Sequence, residues 1–356
     1  MRRVRPGGPG LTRRRRGRGF QFLDQQGEPV TEPATLDRLH GLVIPPAWSD
    51  VWICPSAAGH IQAVGTDAAG RRQYLYHPDW VQGRDAARRD RMEAFAGSLP
   101  AAREQVVSHL RLSDLAHSRA LAVAFRVLDQ ASVRIGSEQY AVRHATYGMA
   151  TLLREHVHVS KNLVSMEFPG KTGRVVTLQL SDAALARAVR QLRRRRDPDP
   201  RLLAWRDGKG TPWHPLASSE INDYLREVTN GPFTAKDFRT WNATVLMAVE
   251  LSVANAGEAP GPRPRKTIAE AVQRVAVHLA NTPAVARASY IDGRVAERFS
   301  DGVVLPLELA TLRAPAGRLA ALATEAAVLR LLTDPRRAAR TFGRIERRGF
   351  TGTLDP

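Results

Sequence analysis

The chain counts 53 lysines and arginines together, yet only five are lysines: Lys161, Lys171, Lys209, Lys236 and Lys266. The other 48 are arginines. Arginine forks a phosphate well but holds its proton too tightly to hand it over; a lysine can release one. Each lysine kept in so arginine-biased a chain is therefore a candidate for proton transfer, although five lysines must stand somewhere. Two arginines stand in isolated motifs, Arg134 in Val133-Arg134-Ile135-Gly136 and Arg239 in Lys236-Asp237-Phe238-Arg239-Thr240-Trp241. The remaining group is the phenol of Tyr290, near the end of the segment 281–290 (Asn-Thr-Pro-Ala-Val-Ala-Arg-Ala-Ser-Tyr). A phenol, with an ordinary pKa of about 10, becomes a nucleophile when cations help it ionise. Alone, such a tyrosine is equally a packing residue.

These groups need elements to hold them. Thr282 can cap a helix whose first position suits Pro283, and Ala284 to Ala288 propagate it up to Tyr290. Thr234 can cap a second helix, reaching to about Ala254, with Lys236 and Arg239 on one side of its start. A helix N-terminus carrying a lysine and an arginine is an anion site. Lys171 sits in Pro169-Gly170-Lys171-Thr172-Gly173, between an alternating run Val164, Met166, Phe168 and another, Val176, Leu178, Leu180. That pattern predicts a β-hairpin with the lysine on its loop. Such a lysine can reach a ligand or merely face water. The glycines are wrongly spaced for a phosphate-cradling P-loop, and no helix follows directly. Arg134, flanked by apolar residues, is expected at a partly buried edge with an anionic partner, an internal Glu by preference.

Composition bounds the class. A chain of 356 residues with 43% hydrophobic content is a folded protein large enough for two or three domains. Net charge of +18 and a pI of about 11.1 call for a polyanionic partner, nucleic acid first. No apolar run is long enough to span a bilayer. A single cysteine, Cys54, excludes an internal disulfide framework and a Cys-based zinc site, and fits a reducing cytoplasm.

Residues 1–18 read as a flexible basic arm, without the apolar core of a secretory signal. Residues 19–82 read as a β-rich N-terminal DNA-binding domain, with strands near 51–53, 60–64 and 71–77. On the last of these, Arg71, Arg72 and Gln73 could reach DNA or form a solvated edge. From residue 83 to 356 the pattern is mainly helical, with predicted helices at 84–95, 101–112, 117–129 and 181–196 and a basic C-terminal extension. The run Arg193 to Arg196 reads as a solvated helix end able to touch phosphates.

Taken together and in order, Val133-Arg134-Ile135-Gly136, Gly170-Lys171-Thr172-Gly173, Lys236-Asp237-Phe238-Arg239-Thr240-Trp241 and Asn281-Thr282-Pro283 with Tyr290 resemble the type IB DNA topoisomerases of the poxvirus and bacterial branch. Each motif alone is weak; four in the family's order and approximate spacing are specific. The resemblance runs from about Gly19 to beyond Tyr290. It implies an α+β fold in which a small β-rich N-terminal domain and a larger, mostly helical catalytic domain with a small hairpin sheet form a C-shaped clamp around duplex DNA. It implies monomeric action at the nucleoid of the cytoplasm. It assigns Tyr290 as nucleophile, Arg134 and Arg239 as transition-state stabilisers, Lys171 as general acid, and Asn281 to a position that is histidine in the viral and eukaryotic enzymes.

The chemistry so implied is self-consistent. Attack of a phenol on a phosphodiester makes a 3′-phosphotyrosine, frees a 5′ hydroxyl and retains the bond energy, so neither ATP nor a redox cofactor is required. No carboxylate cluster or His pair with metal spacing is evident, and no metal is expected. Forked arginines answer the extra negative charge of the phosphorane, and a lysine can protonate the leaving oxygen. Asn281 can donate to a non-bridging oxygen but carries no proton at neutral pH, which throws the proton role onto Lys171. Lys236 is read as a phosphate contact in preference to a second proton carrier. A tyrosine recombinase shares the catalytic plan, but typically has His where Lys236 stands and a helical N-terminal domain. A non-catalytic DNA-binding protein explains the charge but not the separate Arg, Lys and Tyr motifs.

Overall fold

The computed structural model describes residues 1–112, 116–171, 173–208, 210–256, 265–311 and 317–334. Thr172, Lys209, the Pro/Gly-rich loop 259–264 and the basic C-terminal extension past residue 334 lie outside the described residues. The chain divides into two compact units, one up to Asp90 and one from Arg91.

In the first unit, β1 (Leu11–Arg16), β2 (Gly19–Leu23), β3 (Ser49–Ile53), β4 (Ile61–Thr66) and β5 (Arg72–Tyr76) form one antiparallel sheet of order β2-β1-β3-β4-β5. Helix α1 (Pro33–Gly41) adds Leu39 to a core of Leu11, Phe22, Val51, Ile53 and Ala63. The segment expected as a flexible arm is therefore in part a strand. Gly17, at φ +56°, makes a two-residue turn between β1 and β2, so Arg15 pairs with Phe20 and Arg13 with Phe22. Arg13 is tied down further: its guanidinium lies 3.9 Å from the Phe20 ring centroid and donates to the carbonyls of Ile44, Pro45 and Trp48. A run of arginines carries no period-two apolar signal, and the pairing comes from the turn and from β2.

Helix α2 (Pro78–Leu110) is continuous where two helices are expected, and it runs through the expected boundary at residue 82. Pro100 lies inside it and costs about 3 kcal/mol. The stripe Met92, Phe95, Leu99, Ala102, Val106 and Leu110 is buried on both sides of the proline. Each large side chain there contributes about 1.5–3 kcal/mol, so burial outweighs the break.

The second unit centres on α3 (His117–Ala131), with α4 (Glu138–His144) after it. An antiparallel sheet follows, β6 (Val157–Ser160), β7 (Leu163–Pro169) and β8 (Val175–Ser181), in the order β6-β7-β8. The β7–β8 register pairs Val164 with Leu180, Met166 with Leu178 and Phe168 with Val176. Then come α5 (Ala183–Arg193), the short pair β9 (Ala204–Trp205) and β10 (His214–Pro215), α6 (Ser218–Val228), α7 (Ala235–Ala254), α8 (Arg265–His278), α9 (Pro283–Ser289), α10 (Gly293–Ser300), α11 (Leu307–Thr311) and α12 (Gly317–Thr333). Helix α5 stops before the arginine run ends. Arg195 is buried, paired with Asp197 and donating to the Arg201 carbonyl, so this residue is no solvated face. No helix among the described residues is long and apolar enough to cross a membrane.

One buried ion pair joins three helices of this unit. Arg103 of α2 meets Asp129 of α3 at 2.6 Å and Glu325 of α12 at 2.9 Å. Breaking a buried pair leaves an uncompensated charge and costs about 3–5 kcal/mol. Arg103→Met is expected to destabilise this unit by that order, read as a lower urea midpoint. Arg226→Met, at an exposed pair with Asp223, should shift it by no more than about 1 kcal/mol.

Candidate active site

Helix α3 ends where Ser132 adopts φ +52°, and the chain turns out through Val133 to Arg134. The backbone there is clamped by a second irregular segment. The Arg134 carbonyl accepts from Met149 N at 2.9 Å, and the Ile135 carbonyl from Ala150 N at 2.8 Å. Gly148 allows the approach: a Cβ there would lie 2.5 Å from Gly136 N and 2.6 Å from the Arg134 oxygen. The half-buried Arg134 side chain donates from Nη2 to Asn281 Oδ1 at 2.6 Å. Its partner is thus an amide and not the carboxylate expected, and the guanidinium keeps its charge for something else. Asn281 keeps Nδ2 buried and without a hydrogen-bond partner among the described residues.

Helix α7 supplies the next two cations. Thr234 stands at its N-cap, and Asp237 accepts from Thr234 N at 2.7 Å and from the Thr234 hydroxyl at 3.0 Å. Arg91 grips the same carboxylate with two hydrogen bonds of 2.7 and 2.8 Å. This first turn leaves Lys236 exposed and sends Arg239, 5% exposed, inward. Arg239 donates to the Ser132 carbonyl after α3 and to the Leu279 carbonyl after α8. Its Nε has no hydrogen-bond partner among the described residues, and its guanidinium carbon lies 4.9 Å from the Tyr290 ring centroid.

Tyr290 terminates α9, which Thr282 caps through Val285 N with Pro283 in the first turn. The Thr244 hydroxyl of α7 donates to the Thr240 carbonyl at 2.8 Å and accepts from Asp292 N at 3.1 Å, which fixes the backbone just after Ile291. The phenol is 9% exposed. Burial pushes its pKa up, but Arg239, Arg134 and Lys236 favour the phenolate more, and the balance lies below the ordinary phenol value. For Arg239, burial and the charge of Arg134 oppose its cationic form while Tyr290 supports it.

Arg134, Lys171, Lys236, Arg239 and Tyr290 line one open cavity of about 320 Å³. The hairpin delivers Lys171: Gly170 N donates to the Arg174 carbonyl and Gly173, at φ +72°, closes the loop. Asn281 joins the group through its bond to Arg134. Arg71, Arg72 and Gln73 belong to the first unit. Arg71 and Gln73 both bond Asp67 Oδ2, at 2.9 and 2.8 Å, while Arg72 is exposed on the edge strand β5. Sequence reasoning missed Gly148, Asp237 and Tyr140, the last of which also lines the cavity. Asp237 had a signal, an acidic residue three places after the Thr234 cap. Gly148 had none, because its reason is contact with a distant backbone.

Residues 78–300 match the family described as eukaryotic DNA topoisomerase I, catalytic core. Residues 19–67 match the bacterial DNA topoisomerase IB N-terminal domain. DNA topoisomerase 1B of Acanthamoeba polyphaga mimivirus is 27% identical over 288 residues, covering 79% of this chain and 84% of that protein. DNA topoisomerase 1B of vaccinia virus (strain Copenhagen) is 22% identical over 239 residues, covering 67% and 72%. DNA topoisomerase 1 of Mycosarcoma maydis is 26% identical over 149 residues, 37% of this chain and 14% of that protein. The chain belongs to the type IB DNA topoisomerase family, with a bacterial-type N-terminal domain, and is an isomerase of that class.

Two measurements follow from this geometry. Gly148→Ala should displace the Arg134 backbone and lower topoisomerase activity by about 100-fold, since a shift near 1 Å has that effect on a positioned group. Binding of a labelled duplex should change far less. Lys236→Ala removes one of the cations that favour the phenolate, so the Tyr290 pKa should rise. Carbon-13 tyrosine NMR, with the resonance assigned through Tyr290→Phe, reads that shift; a fall or no change would contradict the electrostatic account.

Proposed function

We propose that the protein clamps duplex DNA and relaxes its supercoils by cutting and resealing one strand through Tyr290. The observation that carries this reading is the buried phenol packed against Arg239, in a cavity that also gathers Arg134, Lys171 and Lys236. The phenol gives its proton to solvent, and its oxygen forms the new bond to phosphorus. The bond from phosphorus to the 5′ oxygen breaks with its electron pair on that oxygen, and Lys171 supplies the proton. Arg134 and Arg239 face the added charge of the pentacoordinate phosphorane, where charged donors in a preorganised site act most strongly. Asn281, its oxygen taken by Arg134, has its amide hydrogens to offer a non-bridging oxygen. Resealing is the reverse: the 5′ hydroxyl attacks, its proton returns to Lys171, and the phenolate leaves.

The β-rich unit up to Asp90 is the DNA-binding domain, the unit from Arg91 the catalytic domain, and the two close on duplex DNA as a C-shaped clamp. The surplus of +18 charges holds a polyanion, and Lys236, Arg71, Arg72 and Gln73 are contacts to it. Strand rotation about the uncut strand releases the supercoils without ATP or metal. The protein acts as a monomer at the nucleoid of the cytoplasm, where a single cysteine, buried as Cys54, stays reduced.

Relaxation of a supercoiled plasmid, with EDTA present and ATP absent, tests this. Wild type should produce the ladder of relaxed topoisomers. Tyr290→Phe should produce none while shifting a labelled duplex at the same protein concentration. A wild-type protein that leaves the plasmid supercoiled across several salt concentrations would remove the reading.

A further inference from the structure

Tyr140 stands on α4, a helix with no buried side chain, and is itself 47% exposed. Its ring packs on no core and meets the His144 ring of the same helix at 5.6 Å. Lys171 Nζ lies 5.4 Å from the centroid of this ring, and both residues line the cavity that holds Tyr290. Among the described residues Lys171 makes no ion pair or hydrogen bond, so the ring is the contact that limits where its ammonium goes. A lysine on a hairpin loop has much rotamer freedom to lose, whereas proton transfer needs it within hydrogen-bond reach of one oxygen.

We propose that Tyr140 is a positioning residue for Lys171: its ring face keeps the ammonium at the cavity wall, within reach of the leaving 5′ oxygen. The inference rests on the reading of Lys171 as proton donor. An aromatic face attracts a cation at an exposed site by an amount that corresponds to a bias of about two- to five-fold. Only the charged, proton-bearing form of the lysine is drawn to it. The step concerned is unchanged in its balance: the Lys171 proton passes to the 5′ oxygen as the bond to phosphorus breaks.

Single-turnover cleavage at a site first mapped with the wild-type protein tests this, on two duplexes. One carries the ordinary 5′ oxygen; the other carries a bridging 5′ sulfur, a leaving group that departs without a proton. Tyr140→Leu should slow cleavage of the oxygen duplex about two- to five-fold. That deficit should shrink on the sulfur duplex, and Tyr140→Phe, which keeps the ring, should recover most of it on oxygen. Equal slowing on both duplexes would make Tyr140 a DNA contact and overturn the proposal, as would no slowing on oxygen. Lys171→Ala separates the two levels. If sulfur rescues it, Lys171 is the donor and the Tyr140 variants decide the proposal alone. If sulfur does not, the proton role of Lys171 falls and the proposal with it.

Discussion

The site depends on one buried cation. Arg239 reaches from the second turn of α7 to two backbone carbonyls, of Ser132 at the end of α3 and of Leu279 at the end of α8. Taking a guanidinium out of water is costly unless its N–H groups are met, and the two helix ends meet them. In return the guanidinium fixes three things at once. It sets where α3 ends, and so where Arg134 begins. It sets where α8 ends, and so where Asn281 begins. Its face, 4.9 Å from the Tyr290 ring, sets the phenol. Carbonyls are neutral acceptors, so the charge survives this anchoring; a carboxylate in their place would have spent it.

The same economy appears at Arg134. Its bond runs to an amide oxygen of Asn281, not to an acid. Two other buried arginines of the second unit are neutralised by acids, Arg103 by Asp129 and Glu325, and Arg195 by Asp197. Those two cations are spent within the fold, while Arg134 faces the cavity. With Lys171 and Lys236 on the same walls, the cavity gathers positive charge and has no carboxylate among its described lining residues. Such an arrangement costs stability in the free protein and is relieved by an anion, which is how a phosphodiester would be drawn in.

Much of this was legible in the sequence, and the reasons are local. Thr234 and Thr282 announce helix starts through a side-chain oxygen, and Pro283 fits only a first turn, so α7 and α9 could be placed with their functional residues. Alternation through Val164, Met166 and Phe168 fixed the hairpin and hence the loop of Lys171. What stayed hidden was set at long range. Arg134 and Asn281 are 147 residues apart, and nothing near either names the other. Gly148 is a glycine because Gly136 and the Arg134 carbonyl lie against it. Pro100 reads as a helix end because the cost of a proline is local, whereas the buried stripe that overrides it is not. The arginines of β1 read as an arm because charge dominates the pattern and the pairing partner comes later.

The arginine bias of the chain bears on why lysine is retained where it is. An arginine at residue 171 could contact a phosphate as well or better, but it could not give a proton to an alkoxide leaving group. A histidine there would be mostly neutral above its usual pKa of about 6.5, and the neighbouring guanidinium groups would push it further in that direction. The amide at Asn281 removes proton transfer from the other candidate position. Under the proposed mechanism this divides the labour by chemistry: the guanidinium groups that face the phosphate are forked and held by neutral acceptors, and the proposed proton donor is left on a loop. The latter arrangement leaves the lysine exposed and makes its orientation depend on whatever lies beside it.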